Sequence, residues 1–175
     1  MVLPPTVIGF YLLIAFAPTG WLGQLWGELG GGRLAFSFSG LVIGSVLYSL
    51  PFVVQPLHAA FAGIDRGQLE AAQVLGAGRW DRLQNILLPQ ARAGLATAAV
   101  LGFAHTLGEF GVVLMIGGSI PGETRVLSVA LFEHVESLDY AAAHRVALSM
   151  LLLSFFMLLL LYWRLGRRVL LWRTP

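Results

Sequence analysis

The chain has no cysteine and no lysine. The first absence excludes disulfides, thiolate metal ligands and a cysteine nucleophile. The second excludes a phosphate-binding G-x-x-x-x-G-K-[ST] loop, so ATP hydrolysis of that kind belongs to some other chain. Charge is also scarce. Only 11% of the 175 residues are Asp, Glu, Lys or Arg, against about 25% in a soluble globular domain. What is abundant is apolar: 57% of residues, with a mean hydropathy of +0.79, which makes a bilayer the expected solvent. All 11 basic residues are Arg, yet the net charge is only +2. They fall in loops between apolar runs, which is a topology signal and not a nucleic-acid footprint, so no nucleic-acid partner is expected. The opening Met1-Val2-Leu3-Pro4-Pro5 lacks a basic n-region and a small-residue cleavage site, so the chain reads as beginning inside an apolar segment.

A transmembrane helix needs about 20 apolar residues, and four runs of that order emerge, near 1–17, 36–62, 95–116 and 146–163. They predict an all-α, polytopic membrane protein forming one transmembrane domain over residues 1–175. Pro4-Pro5 is expected to start or break the first span. Pro51 and Pro56 predict a kinked, buried second span. The third carries His105 and Glu109, so its polar face must look inward. The fourth ends in Tyr162-Trp163 and then Arg164, Arg167 and Arg168, an aromatic belt above a basic anchor. Counting Arg assigns the sides. Arg66, Arg79, Arg82 and Arg92 in one loop, and Arg164, Arg167, Arg168 and Arg173 in the tail, are expected in the cytoplasm, leaving Arg33, Arg125 and Arg145 outside.

The loop 63–90 is far longer than a minimal helix connection, which predicts structure and a task of its own. Gln68 to Leu75 reads as a short helix, Gly76 and Gly78 as a turn, and Gly78 to Leu88 as a second helix stopped by Pro89. On the second helix Trp80, Leu83 and Leu87 fall at i, i+3 and i+7, an apolar ridge beside a charged flank, suited to docking in the groove of a soluble partner. The alternative is an amphipathic helix resting on the membrane surface.

Glu70-Ala71-Ala72, three residues, Gly76, nine residues, then Ile86-Leu87-Leu88-Pro89 resembles the E-A-A…G…I-x-L-P loop of ABC-importer permeases, at all seven specified positions. The resemblance implies a type I importer transmembrane domain of the molybdate/sulfate-like kind. In that family the loop sits in a cleft of the ATPase subunit and couples ATP-driven closure to the attached helices. Glu70, Ala71, Ala72, Gly76, Arg79, Trp80, Asp81, Arg82, Leu83 and Pro89 would carry that role here. Leu3-Pro4-Pro5-Thr6-Val7-Ile8-Gly9, Leu107-Gly108-Glu109-Phe110-Gly111 and Ile120-Pro121-Gly122-Glu123-Thr124-Arg125 resemble the molybdate permeases more narrowly. Sulfate permeases share the Gly-Glu-Phe-Gly and Gly-x-Thr elements but usually have Arg where this chain has Pro121. Molybdate is therefore the expected substrate, with tungstate and sulfate as alternatives.

The resemblance further implies a homodimer with a second permease copy, two ABC ATPase subunits holding ATP and Mg, an extracytoplasmic oxyanion-binding protein, and a prokaryotic inner membrane. No cofactor and no catalytic residue is expected on this chain. Two departures stand out. His105 replaces an Arg common in the family, and a complete subunit of this kind would begin with about 50 further residues, a helix and a half with a connection, placing Met1 in mid-membrane.

His105 and Glu109, at i and i+4, share a helix face and make a proton-coupled secondary transporter the rival function. The plainer reading is a structural carboxyl satisfied by backbone N–H groups where Gly108 and Gly111 loosen the helix. His58, His134 and His144 lack the partners of a zinc helix, so no metal site is expected. The outer segment 117–140 is predicted to contain a short helix from Arg125 to Val135. Glu123, Glu133, Glu136 and Asp139 make it a poor place for a tight anion site. Thr106, Ser119 and Thr124 are the candidate neutral donors along a pathway, with Gly108, Glu109, Gly111 and Arg125 as candidate gate residues. The competing expectation is that Thr124 and Arg125 only cap or anchor the outer helix.

Overall fold

A computed structural model describes residues 4–169, with side chains described as far as Leu160 and again at Trp163. The expected anchors Arg164, Arg167, Arg168 and Arg173, and Tyr162 of the aromatic belt, therefore have side chains outside the described residues, as does the start of the first span. Every regular element described is helical: α1 (Pro5–Phe16), α2 (Trp21–Glu28), α3 (Phe38–Ala62), α4 (Arg66–Val74), α5 (Arg79–Arg82), a π-helical turn (Leu83–Leu87), α6 (Leu88–Gly108), α7 (Gly111–Gly117), α8 (Leu127–Glu136) and α9 (Tyr140–Val169).

Three helices are long and apolar enough to cross a membrane, namely Phe38–Ala62, Arg79–Gly108 and Tyr140–Leu160. The pair α1 and α2, bent by 45°, is a fourth candidate as one broken span. Pro5 occupies the first turn of α1, where its missing N–H costs nothing. Between the predicted spans 1–17 and 36–62 the chain is not a bare loop, because Trp21–Glu28 is helical. Pro18 ends the first helix, and the chain then turns so tightly that Gly20 lies against the Ile14 and Ala15 carbonyls, where no side chain fits.

Two compact units group the chain: Met1–Leu50 with Ala104–Phe155, and Pro51–Phe103 with Phe156–Pro175. In the first, α1 packs along α7, and a Cβ at Gly9 would come within 2.9 Å of Met115 Cβ. Phe16, Leu41, Val112, Ile116 and Val129 form its buried core. Gly117 leaves the space that Leu41 fills. Between apolar helices in lipid, such close fit and not water exclusion supplies the attraction.

The second unit uses a stripe of small residues. Ala91, Gly94, Ala98 and Gly102 recur at helical spacing along α6, and Ala91 and Ala98 are fully or almost fully buried. Gly94 faces Ala60 and Gly102 faces Val53, leaving no room for larger side chains. This is small-residue packing of the kind that lets membrane helices approach closely. The second span is thus buried only in part. Leu41, Gly44, Tyr48 and Ser49 are covered, whereas Val42, Val46, Leu47, Leu50 and Val54 are exposed in the isolated chain. On α9 the exposed Leu151, Leu152, Phe155, Phe156 and Leu159 make a surface suited to lipid.

Two further expectations are corrected. Pro89 does not stop the second loop helix. The chain stays helical from Arg79 to Gly108 because the π turn before the proline widens the ladder, and Leu88 N–H reaches back five residues to the Leu83 carbonyl. That turn relieves the clash a proline ring makes with the carbonyl four residues earlier. The third span, predicted as one helix through residue 116, breaks after Gly108 and resumes at Gly111 as α7.

Candidate functional site

The loop between α3 and α6 is a helical pair whose turn is determined by one residue. Asp65 caps α4, its carboxylate accepting the Gly67 N–H at 2.9 Å. Gly76 ends α4 at φ +86°, the left-handed region. Its N–H donates to Gln73 O at 3.0 Å, and the Ala77 N–H reaches Ala72 O at 2.9 Å. These two bonds form the Schellman arrangement, in which glycine is strongly favoured at this position. Ala72 and Gly76 are thereby linked physically: the alanine supplies the carbonyl that the glycine's conformation lets the chain reach.

Side chains tie the pair together. Arg82 Nη1 donates to Gln73 Oε1 at 2.9 Å and Gln90 Nε2 to Gln68 Oε1 at 2.6 Å, while within the second helix Asn85 Nδ2 donates to Asp81 Oδ1 at 2.5 Å. Glu70, Ala71, Arg79, Trp80, Asp81 and Pro89 are exposed, and Ala72 and Leu83 half-buried.

The predicted ridge Trp80-Leu83-Leu87 is corrected. Leu83 and Leu87 are half-buried, because the π turn adds a residue to the helical repeat, and the outward apolar surface is Val74, Leu75 and Trp80, at 87%, 87% and 72% exposure. Sequence reasoning missed Val74 and Leu75. Their position immediately before a left-handed glycine, on a helix otherwise polar, was the available signal.

The second cluster surrounds the break between α6 and α7. Glu109 is buried, and its Oε1 accepts the Val112 N–H at 2.9 Å, satisfying one of the free amides that open α7. His105 Nε2 lies 3.7 Å from Glu109 Oε2, and the Tyr48 ring stands 4.9 Å from the His105 ring. Pro5, Thr6, Tyr48, His105, Gly108, Glu109, Phe110 and Gly111 line a cleft of about 440 Å³. The candidate gate residues Gly108, Glu109 and Gly111 therefore share one cavity.

The candidate neutral donors do not converge on it. Thr106 hydrogen-bonds Ser49 at 2.9 Å. Thr124 is 1% exposed, donates to Gly117 O at 2.6 Å and accepts from the Ile120 N–H at 3.0 Å. It closes its own turn and offers no donor to a passing ion. It does not cap α8 either, whose start has no side-chain cap. Arg125 pairs with Glu133 at 2.8 Å, while its Nε reaches Ser119 Oγ at 3.3 Å, so the anchoring expectation for Arg125 fits its geometry.

Membrane-length helices, a span broken after Gly108 and a folded helical loop with an apolar tip define a polytopic membrane protein. Residues 1–169 match the family model of the binding-protein-dependent transport system inner membrane component, and the chain belongs to that family. It is 57% identical over 162 residues to the molybdenum transport system permease protein ModB of Azotobacter vinelandii, covering 93% of this chain and 72% of that relative. It is 34% identical over 164 residues to ModB of Escherichia coli K12, again covering 93% and 72%. It is also 34% identical over 159 residues to a probable sulfate transport system permease protein cysT of Zygnema circumcarinatum, covering 91% of this chain and 55% of that relative.

Proposed function

We propose that the chain is the permease subunit of an ATP-driven importer of molybdate, one transmembrane domain that works as a homodimer. Each copy would engage one of two ATPase subunits, which hold ATP and Mg, and an extracytoplasmic binding protein would deliver the anion. The observation that carries this is the 57% identity to a molybdenum permease. The intact Glu70–Pro89 loop, folded as a helical pair with Val74, Leu75 and Trp80 at its tip, supports ATPase docking. In this reading the loop faces the cytoplasm, as the Arg distribution favours, and Gly108, Glu109 and Gly111 belong to the gate. Sulfate is the second reading, favoured by the likeness to cysT.

Reconstitution with the ATPase and the binding protein in proteoliposomes tests it. ATP-dependent uptake of labelled molybdate, competed by tungstate and weakly by sulfate, is the expected result. Sulfate taken up in preference to molybdate would replace the substrate. Uptake that needs a proton gradient and not ATP would overturn the reading in favour of a His105–Glu109 relay.

A further inference from the structure

Glu109, at the break between α6 and α7, is held by three elements at once. Its N–H donates to Thr106 O on α6 at 3.3 Å, its carboxylate accepts the Val112 N–H on α7 at 2.9 Å, and its carbonyl accepts the Ser128 hydroxyl from α8. That carbonyl follows a helix end, where backbone acceptors otherwise lack partners. One turn further along α8, at i+4 and so on the same face, the Phe132 ring packs on Phe110 at 4.8 Å between centroids, tilted by 47°. Val129, between them, is fully buried in the core with Val112 and Ile116. The clamp is therefore made by two side chains of one helix on two consecutive residues of the break. Arg125 and Glu133, paired at 2.8 Å, link α8 to the segment of chain just before it.

We propose that Ser128 and Phe132 are positioning residues that transmit displacement of α8, imposed when the loaded binding protein docks on the outer side, to the helix break at Glu109–Phe110. The inference rests on the importer reading, which places α8 outside and supplies that partner. Movement of α8 strains the Ser128 bond and the Phe132 contact unless the break at Glu109–Phe110 follows it. Whatever geometry the break takes, α8 biases it by the strength of these two contacts.

The test uses the assembled complex of permease, ATPase and binding protein in lipid nanodiscs, reading ATPase activity with and without molybdate-loaded binding protein. Ser128→Ala and Phe132→Leu are expected to lower the stimulated activity about five- to tenfold, the factor that one net hydrogen bond or packing contact is worth. Basal ATPase activity and the affinity for the binding protein should stay within about twofold over the same comparison. Ser128→Thr, which keeps the hydroxyl, is expected to restore stimulation. If Ser128→Ala fails to assemble, Phe132→Leu decides alone. Wild-type stimulation in the variants, or a basal activity that falls in the same proportion, would overturn the proposal while leaving the importer reading intact. A wild-type complex with no stimulation at all would overturn that reading and the inference with it.

Discussion

Replacing Gly76 tests whether the loop's turn, and not merely its composition, governs function. Gly76 has φ +86°, and a Cβ built there would meet nothing within 4 Å. The cost of a side chain is therefore conformational alone, about 1–2 kcal/mol for an L-residue forced into the left-handed region. That corresponds to a five- to thirtyfold fall in the fraction of loops holding the turn, since about 1.4 kcal/mol is tenfold. Asparagine tolerates this region better than alanine, and valine, branched at Cβ, tolerates it worst. ATP-driven uptake in proteoliposomes should therefore fall in the order Gly, Asn, Ala, Val. Gly76→Asn is expected to stay within about threefold of wild type, and Gly76→Ala to lose about five- to tenfold. ATPase co-purification measured alongside separates a loop that no longer docks from one that docks without coupling. If Gly76→Val transports at the wild-type rate with normal ATPase association, the turn is dispensable and the coupling reasoning fails.

Trp80→Ala removes the large ring from the exposed tip and should weaken ATPase association by about 2 kcal/mol, roughly thirtyfold, measured by co-purification at graded detergent. Gly94→Leu overpacks the contact with Ala60 and should destabilise the chain by about 1–3 kcal/mol, seen as a lower midpoint of unfolding in denaturing detergent. Thr124→Val takes away both hydrogen bonds of a buried hydroxyl and should cost about 1–3 kcal/mol. The same unfolding assay would read it, and transport per folded complex should stay unchanged, because Thr124 faces its own turn and not a pathway.

Legibility in the sequence followed the range of the interactions. The spans and the outer helix were readable because apolar runs and charges act locally: α3 and α8 fall within two residues of the expected bounds, whereas α9 runs from Tyr140 to Val169, six residues beyond the predicted 146–163 at each end. Gly76 was readable for the same reason, since a helix end followed by glycine is a local pattern. Pro89 misled because its usual effect assumes an α-helical ladder, and the π turn that accommodates it leaves no mark in composition. Glu109 was legible as a capping carboxyl, but the break it sits in depends on α8, whose Ser128 lies 19 residues away. No periodicity reports such a contact. Thr124 was offered as a free donor because a sequence shows a hydroxyl but not where its hydrogen points.

The π turn also makes the length of the interval in the loop motif matter. Nine residues separate Gly76 from Ile86, and the π turn Leu83–Leu87 that begins near their end holds one residue more than a regular α-helical turn of the same reach. Deleting one residue of the π turn, such as Gln84 or Asn85, would let the ladder close up regularly. Everything upstream would then swing by about 100° about the helix axis, turning Trp80 and its neighbours away from whatever they meet, while Pro89 regained its clash. The count between glycine and proline thus acts as a phase setting. A shortened loop could keep every residue type and still point the wrong way.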